Sequence, residues 1–479
     1  MGAMSGVNTF VEIAVVGSGP GGALTAALLA EAGKEVVILD KGAHLPLSSC
    51  EPFTIDEMTQ KYHSGGITVA MGKPAISYIE GGSVGGGSEV NSGLYHRTPE
   101  NLILEWVDQF QIKDLTYEGL VPIFKKNEVD LTVSYVPGGH LPKASLKLHD
   151  GAQKLGWNSM EVPRWFRYES DGSGVKQSMT ETFIPRAVKA GAEVISNTQI
   201  NKILPTAGGW LLKGWKAVGN DLAPFELLAK KIFICAGTIA TPTLLRRSGL
   251  SRLAGKKFHM HPSIKIVAKF SEQVNHIGMG VPVHQVKEFS PRYSMGCSIS
   301  SPSYLSLAMM DVEGGQAIVD SHWPNMAIYY AMTTGGYGDI NPLPLFKEPL
   351  VRYKFTPTEL ADILDALVDL ARCLFAAGAK EIYPAVQNSR QINNMDEMIA
   401  FRHELEAYQL NLMTIHLFSS CPMGENRLNT VVNSYGALHG HDGIYVNDSS
   451  IIPTALGVNP QGTVMALARR NVEYFLRSE

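Results

Sequence analysis

The chain has little that would mark a secreted, membrane-spanning or nucleic-acid-binding protein. No apolar stretch reaches the roughly 20 residues needed to cross a bilayer. The first residues, Met1-Gly2-Ala3-Met4, have neither the charged nor the apolar region of a signal peptide and resemble an expression-tag remnant. No run of Lys and Arg with interleaved aromatics is present, and the formal net charge is only -4, which argues against a nucleic-acid partner. The five cysteines, Cys50, Cys235, Cys297, Cys373 and Cys421, are scattered, odd in number and never spaced CxxC. That pattern excludes a disulfide framework and a structural zinc site. A cytoplasmic protein with buried free thiols and no metal is expected.

Glycine is what the chain has in quantity, with 47 residues, while charged residues make up only 18%. Such a balance suits close backbone packing around a large buried ligand. A length of 479 residues suits two or three compact units. Residues 11–16, VEIAVV, read as a buried parallel strand. Residues 21–32 are rich in Ala and Leu and stop at Gly33, which reads as a helix. Residues 35–39 form a second strand ending in Asp40, completing a β-α-β unit. Strand-like stretches recur at 192–204, 229–237, 326–333 and 443–446. Thr356-Pro357-Thr358-Glu359 is a capping box, and Leu360, Ile363, Leu364, Leu367, Leu370 and Leu374 share one helical face that closes at Gly378. A last helix begins near Gly462. Residues 101–180 show no clear period.

Gly17, Gly19 and Gly22 fit GxGxxG between the first strand and the first helix. The first glycine allows a tight turn, the second lets backbone approach a pyrophosphate, and the third lets helix and strand pack closely. Asp40 follows about 20 residues on, where a carboxylate holds ribose hydroxyls in such sites. This points to a dinucleotide but does not separate NAD from FAD. Two further features favour FAD. The strand Lys231–Cys235 with Ala236-Gly237 resembles the second nucleotide-contacting strand of two-domain flavoproteins. Gly443–Asp448 resembles their late strand, whose acidic residue reaches the ribityl chain or pyrophosphate. No second GxGxxG follows, so electrons are expected from an organic substrate directly.

Four downstream motifs sharpen this reading. Gly85-Gly86-Gly87-Ser88-Glu89-Val90-Asn91 with Tyr95, Gly237–Gly249, His416-Leu417-Phe418-Ser419-Ser420-Cys421-Pro422-Met423-Gly424, and Asn459-Pro460-Gln461-Gly462-Thr463 occur in order. With them the chain resembles the glucose–methanol–choline (GMC) oxidoreductase family; Gly82 and Thr98 depart from the first motif at its ends. The resemblance implies an α/β fold, with a Rossmann-type FAD-binding domain and an interleaved α+β substrate-binding domain built on an antiparallel sheet. The first would comprise 7–100, 181–262 and 411–479, the second 101–180 and 263–410. The segment 176–183 and the long helix look most like the branch with long-chain alcohol and cholesterol oxidases.

In that resemblance His416 is the base that takes a hydroxyl proton while hydride passes from the alcohol carbon to flavin N5. Asn459 orients the substrate oxygen. The cofactor would lie along Gly17, Gly19, Pro20, Gly22, Asp40, Lys41, Gly86, Ser88, Asn91, Ile200, Ala236, Gly237, Asp448, Asn459, Pro460 and Gln461. Some relatives bind FAD covalently through a His where this chain has Val90, so noncovalent FAD is expected. His261 and Cys421 read as structural. The expected partners are a small-molecule alcohol and an acceptor, either oxygen or a quinone or electron carrier. A lyase or light-driven decarboxylase on the same scaffold is the competing reading. Tyr293, Tyr304, Trp323, Tyr329 and Tyr330 are candidates for an apolar pocket or, equally, for core.

Overall fold

Phe10–Val16 runs between two parallel neighbours, Val36–Leu39 and Asp221–Ile234. Its β-branched, non-alternating sequence suits a strand covered on both faces. In the computed structural model, which describes residues 10–479, this strand is central to a seven-stranded sheet. Met1–Met4 and the first three residues of the expected nucleotide domain, 7–9, lie outside the described residues. Glu193–Ile195 extends the sheet beside Val36–Leu39, and Ile444–Val446 joins the end of Asp221–Ile234 in parallel. Thr198–Thr206 and Gly209–Val218 continue it as an antiparallel meander.

Helix Pro20–Glu31 is apolar almost all round because it is covered almost all round. Its Ala23, Leu24 and Ala27 share one core with Ile184 and Ala187 of helix Phe183–Lys189 and with Met465, Ala468 and Val472 of helix Gln461–Ser478. The carboxy-terminal helix therefore closes the unit that the amino-terminal strand opens.

A second, nine-stranded sheet is mostly antiparallel, with Ser263–Lys269 paired to Met326–Thr333 at its centre. Its strands come from Val69–Ala70 to Leu412–Thr414. Strand alternation divides its faces. Ile264, Ile266, Tyr329 and Ala331 belong to the core shared with Ile363, Leu367, Leu370 and Leu374 of helix Pro357–Ala376. That helix starts with the expected capping box. Gln285, Gly296, Tyr330 and Lys265 form one cross-strand row.

The region 101–180 differs from its irregular reading. It carries helices Glu100–Phe110, Tyr117–Asp130 and Lys143–Lys154. The first buries only Ile103 and Trp106, while its Leu104 and Val107 are exposed, which blurs the period. The second carries Pro122 within it. Both departures obscure the helices in a pattern reading, although Leu102, Ile103, Trp106 and Phe110 of the first form one inward-facing stripe.

Candidate active site

The glycine loop brings three backbones into contact. Gly17 has φ +99, and a Cβ there would lie 2.2 Å from Cys235 O. A Cβ on Gly22 would lie 2.0 Å from Gly17 O, so only glycine lets the helix sit this close to the strand. Gly19 is different: a Cβ there would meet only Gly86 Cα, at 4.0 Å. Its backbone borders a cavity.

Acidic groups hold the walls of that cavity. Asp40 Oδ2 accepts from Ser18 N at 2.9 Å and Ser18 Oγ at 2.5 Å, and Oδ1 accepts from Gly42 N at 2.8 Å. Asp448 Oδ2 accepts from Gly237 N at 2.8 Å and Thr241 Oγ1 at 2.6 Å. Its Oδ1 accepts from Ser450 N at 2.8 Å. Burial pushes both carboxyls up, and these hydrogen bonds oppose it.

His416 and Asn459 line the same cavity. His259–Met260 pairs antiparallel with Leu417–Phe418, and His261 N donates to His416 O at 3.3 Å. This short ladder sets the two imidazoles side by side, with His261 Nδ1 at 3.1 Å from His416 Nδ1. His416 Nε2 lies 3.4 Å from Asn459 Nδ2. Asn459 precedes helix Gln461–Ser478 but does not cap it; its Oδ1 accepts from Gln285 Nε2 at 3.1 Å. Burial, assisted by the charge of Lys287, lowers His416 to about 4.

The structure gathers the expected residues closely. Gly17, Gly19, Pro20, Asp40, Lys41, Gly86, Asn91, Ile200, Ala236, Gly237, His416, Asp448, Asn459, Pro460 and Gln461 all line the one cavity. Gly22 and Ser88 do not. Gly22 sits behind the loop, and the buried Ser88 donates from Oγ to Gly85 O at 2.8 Å and accepts from Met179 N at 3.0 Å. Asn91 Nδ2 donates to Gln461 Oε1 at 2.8 Å, joining two of the motifs. Cys421 is fully buried in the core. None of the five aromatic candidates lines the cavity: Tyr293 and Tyr329 are core, Tyr304 and Trp323 pack on a satellite cluster, and Tyr330 contacts Gln285. Gln285, His96 and the partnership of His261 were not foreseen, since no motif links positions so far apart in sequence.

The comparisons with known proteins identify the family. Residues 58–263 match the GMC oxidoreductase amino-terminal profile. An uncharacterized GMC-type oxidoreductase of Sinorhizobium fredii is 35% identical over 475 residues, covering 96% of this chain and 94% of the relative. The chain belongs to the GMC oxidoreductases. Residues 346–468 match the family's carboxy-terminal profile, and 15–58 match an NAD(P)-binding Rossmann-like domain. A long-chain-alcohol oxidase of Arabidopsis thaliana is 25% identical over 520 residues, covering 95% of this chain and 66% of that one. The solved structure of pyridoxine 4-oxidase from Mesorbium loti shares the fold, with TM-score 0.68 at 17% identity over 97% of this chain and 99% of that one. This GMC protein is thus an oxidoreductase and a flavoprotein, and its family implies FAD. Among the described residues no helix is long and apolar enough to cross a membrane.

The residues present fit that cofactor. The bare backbone at Gly19 faces the cavity, and Asp40 and Asp448 are fixed on its wall by backbone donors. Gly22→Ala tests the junction behind the loop. The added methyl should leave the purified protein colourless or poorly folded, read as flavin absorbance per chain together with thermal stability. A fully loaded, wild-type-stable variant would contradict the packing argument.

Proposed function

We propose that the protein oxidises the CH–OH group of an alcohol to a carbonyl, with oxygen or a quinone or electron carrier as final acceptor. The carrying observation is the meeting of His416 Nε2 and Asn459 Nδ2 on the cavity wall, at 3.4 Å from each other. FAD, when bound, supplies the hydride acceptor. His416 takes the hydroxyl proton through Nε2. Asn459 cannot titrate, so it orients the substrate oxygen and steadies its developing charge. The sixteen residues expected along the cofactor are proposed as its contacts, Gly22 and Ser88 acting through packing. The division into a nucleotide unit (7–100, 181–262, 411–479) and a substrate unit (101–180, 263–410) is part of the same proposal.

Three outcomes test this reading. His416→Ala should retain FAD but lose anaerobic bleaching of the flavin by alcohols; full bleaching in the variant would sink the assignment of the base. A lyase or light-driven decarboxylase, the competing reading, would leave the flavin oxidised with every alcohol in the dark. Acid precipitation should release yellow flavin into the supernatant, because Val90 offers no ring nitrogen for a covalent link; a yellow pellet would refute noncovalent binding.

The pH profile follows from the lowered basicity of His416. Only neutral imidazole accepts a proton, and protonation sets in near pH 4 rather than near 6.5. The rate of flavin reduction under saturating alcohol should therefore hold from neutral pH down towards 5 and fall only as pH approaches about 4. Loss of rate centred near the ordinary histidine value would show an imidazole open to solvent.

A further inference from the structure

The hydrogen bonds around His416 fix where its proton sits. Gly457 N donates to Nε2 of the fully buried His261 across 2.9 Å. A backbone N–H cannot act as an acceptor, so this nitrogen of His261 presents its lone pair. A neutral His261 then carries its proton on Nδ1. That proton points at His416 Nδ1, 3.1 Å away, which must accept it. The proton of neutral His416 is consequently on Nε2, facing the cavity.

The opposite side of the site fixes Asn459. Gln285 Nε2 donates to Asn459 Oδ1 at 3.1 Å, and Gln285 Oε1 lies 3.0 Å from His96 Nε2. Asn459 thereby turns Nδ2 towards His416 Nε2. Two N–H donors face each other there, at 3.4 Å, the longest of these contacts. Neither satisfies the other, so both are free to hold one oxygen atom.

We propose that His261 is a positioning residue that keeps the proton of His416 on Nε2 in the resting site. An alcohol oxygen then meets two donors first, and the base form of His416 arises only when the His261–Gly457 contact opens. This rests on the alcohol-oxidation reading above. The switch is a relay in which water takes one proton and gives one back. The His416 Nε2 proton leaves to water in the cavity, the His261 Nδ1 proton passes to His416 Nδ1 along their contact, and water admitted where Gly457 N–H now stands protonates His261 Nε2.

The surroundings oppose the alternative of a charged pair. His261 is driven well below the usual histidine range by burial, and His416, Lys287 and His259 face it. Lys287 also disfavours charge on His416 and His96. The edge contact of His261 with Phe418, ring centroids 4.7 Å apart, resists rotation of the ring.

Ring-nitrogen NMR of the 15N-histidine-labelled holoenzyme, with His416 assigned by its loss in His416→Gln, reads the tautomer directly. The wild type should show His416 with bare Nδ1 and protonated Nε2. His261→Gln, whose amide can accept from Gly457 and donate to His416, should keep that pattern. His261→Leu removes the donor, so Asn459 is left as the stronger one and the His416 signals should shift to the Nδ1-protonated form. Protonated Nδ1 in the wild type overturns the proposal, as does an unchanged pattern in His261→Leu. If the Leu variant fails to fold, the wild-type and Gln spectra still decide. The spectra are taken without alcohol, so failure of alcohols to reduce the flavin would sink the oxidation reading and leave the tautomer result standing.

Discussion

Three stretches of backbone meet at the glycine loop with no room for a side chain between them, and the placement of the cavity wall around His416 and Asn459 depends on that junction. A Cβ on Gly21 would lie 2.0 Å from Asn447 O, as close as the one on Gly22 would lie to Gly17 O. Asn447 then donates from Nδ2 to Thr25 Oγ1 at 2.8 Å and Ala468 O at 3.1 Å, tying the first and last helices to the late strand. Interiors are packed densely enough that such contacts leave little slack. Asp448 is thereby held against Gly237, and the chain that follows leads to Gly457 and Asn459. The glycine loop and the stretch that carries Asn459 are thus placed by one piece of packing.

The second sheet contributes through its division of faces. The helix Pro357–Ala376 takes Ile264, Ile266, Tyr329 and Ala331 into an apolar core. The row Gln285–Gly296–Tyr330 carries polar atoms to the site. Gly296 has a local reason: a Cβ there would lie 2.3 Å from Tyr330 Cζ. The bare glycine lets the Tyr330 ring lie across the strand, where its hydroxyl reaches Gln285 Nε2 at 3.3 Å. Gln285 in turn holds Asn459. Sheet packing therefore determines which atom of a non-titrating amide faces His416.

Much of this was legible in the sequence, and the physical reason is locality. The β-α-β unit, the glycine loop, Asp40, the capping box at Thr356 and the late strand are written in residues within a few turns of one another. The motifs around His416 and Asn459 carried the site in the same way. The links that orient it are remote: His261 and His416 are 155 positions apart, and Gln285 and Asn459 are 174 apart. No periodicity encodes such pairs. The aromatic candidates show a middle case, since the period of two in Met326–Thr333 already separates Tyr329 from Tyr330, yet only packing tells which face is core.

The electrostatics of the site follow from burial more than from any ion pair. His96 is lowered to about 3, His416 to about 4 and Lys287 to about 8, each with burial as the leading cause. The Lys287 Nζ has no hydrogen-bond partner among the described residues. At neutral pH the imidazoles are uncharged, while Lys287, titrating near 8, is mostly an ammonium. A site of neutral donors with one buried positive charge stabilises negative charge on an oxygen better than it stabilises added protons. That bias fits an alcohol oxygen gripped by His416 and Asn459 as it loses its proton. Under the proposed alcohol oxidation, it also favours a histidine over a carboxylate at this position. A carboxylate would neutralise the field of Lys287 and could not offer a hydrogen bond while ionised, whereas a neutral imidazole can give a proton contact first and accept one later.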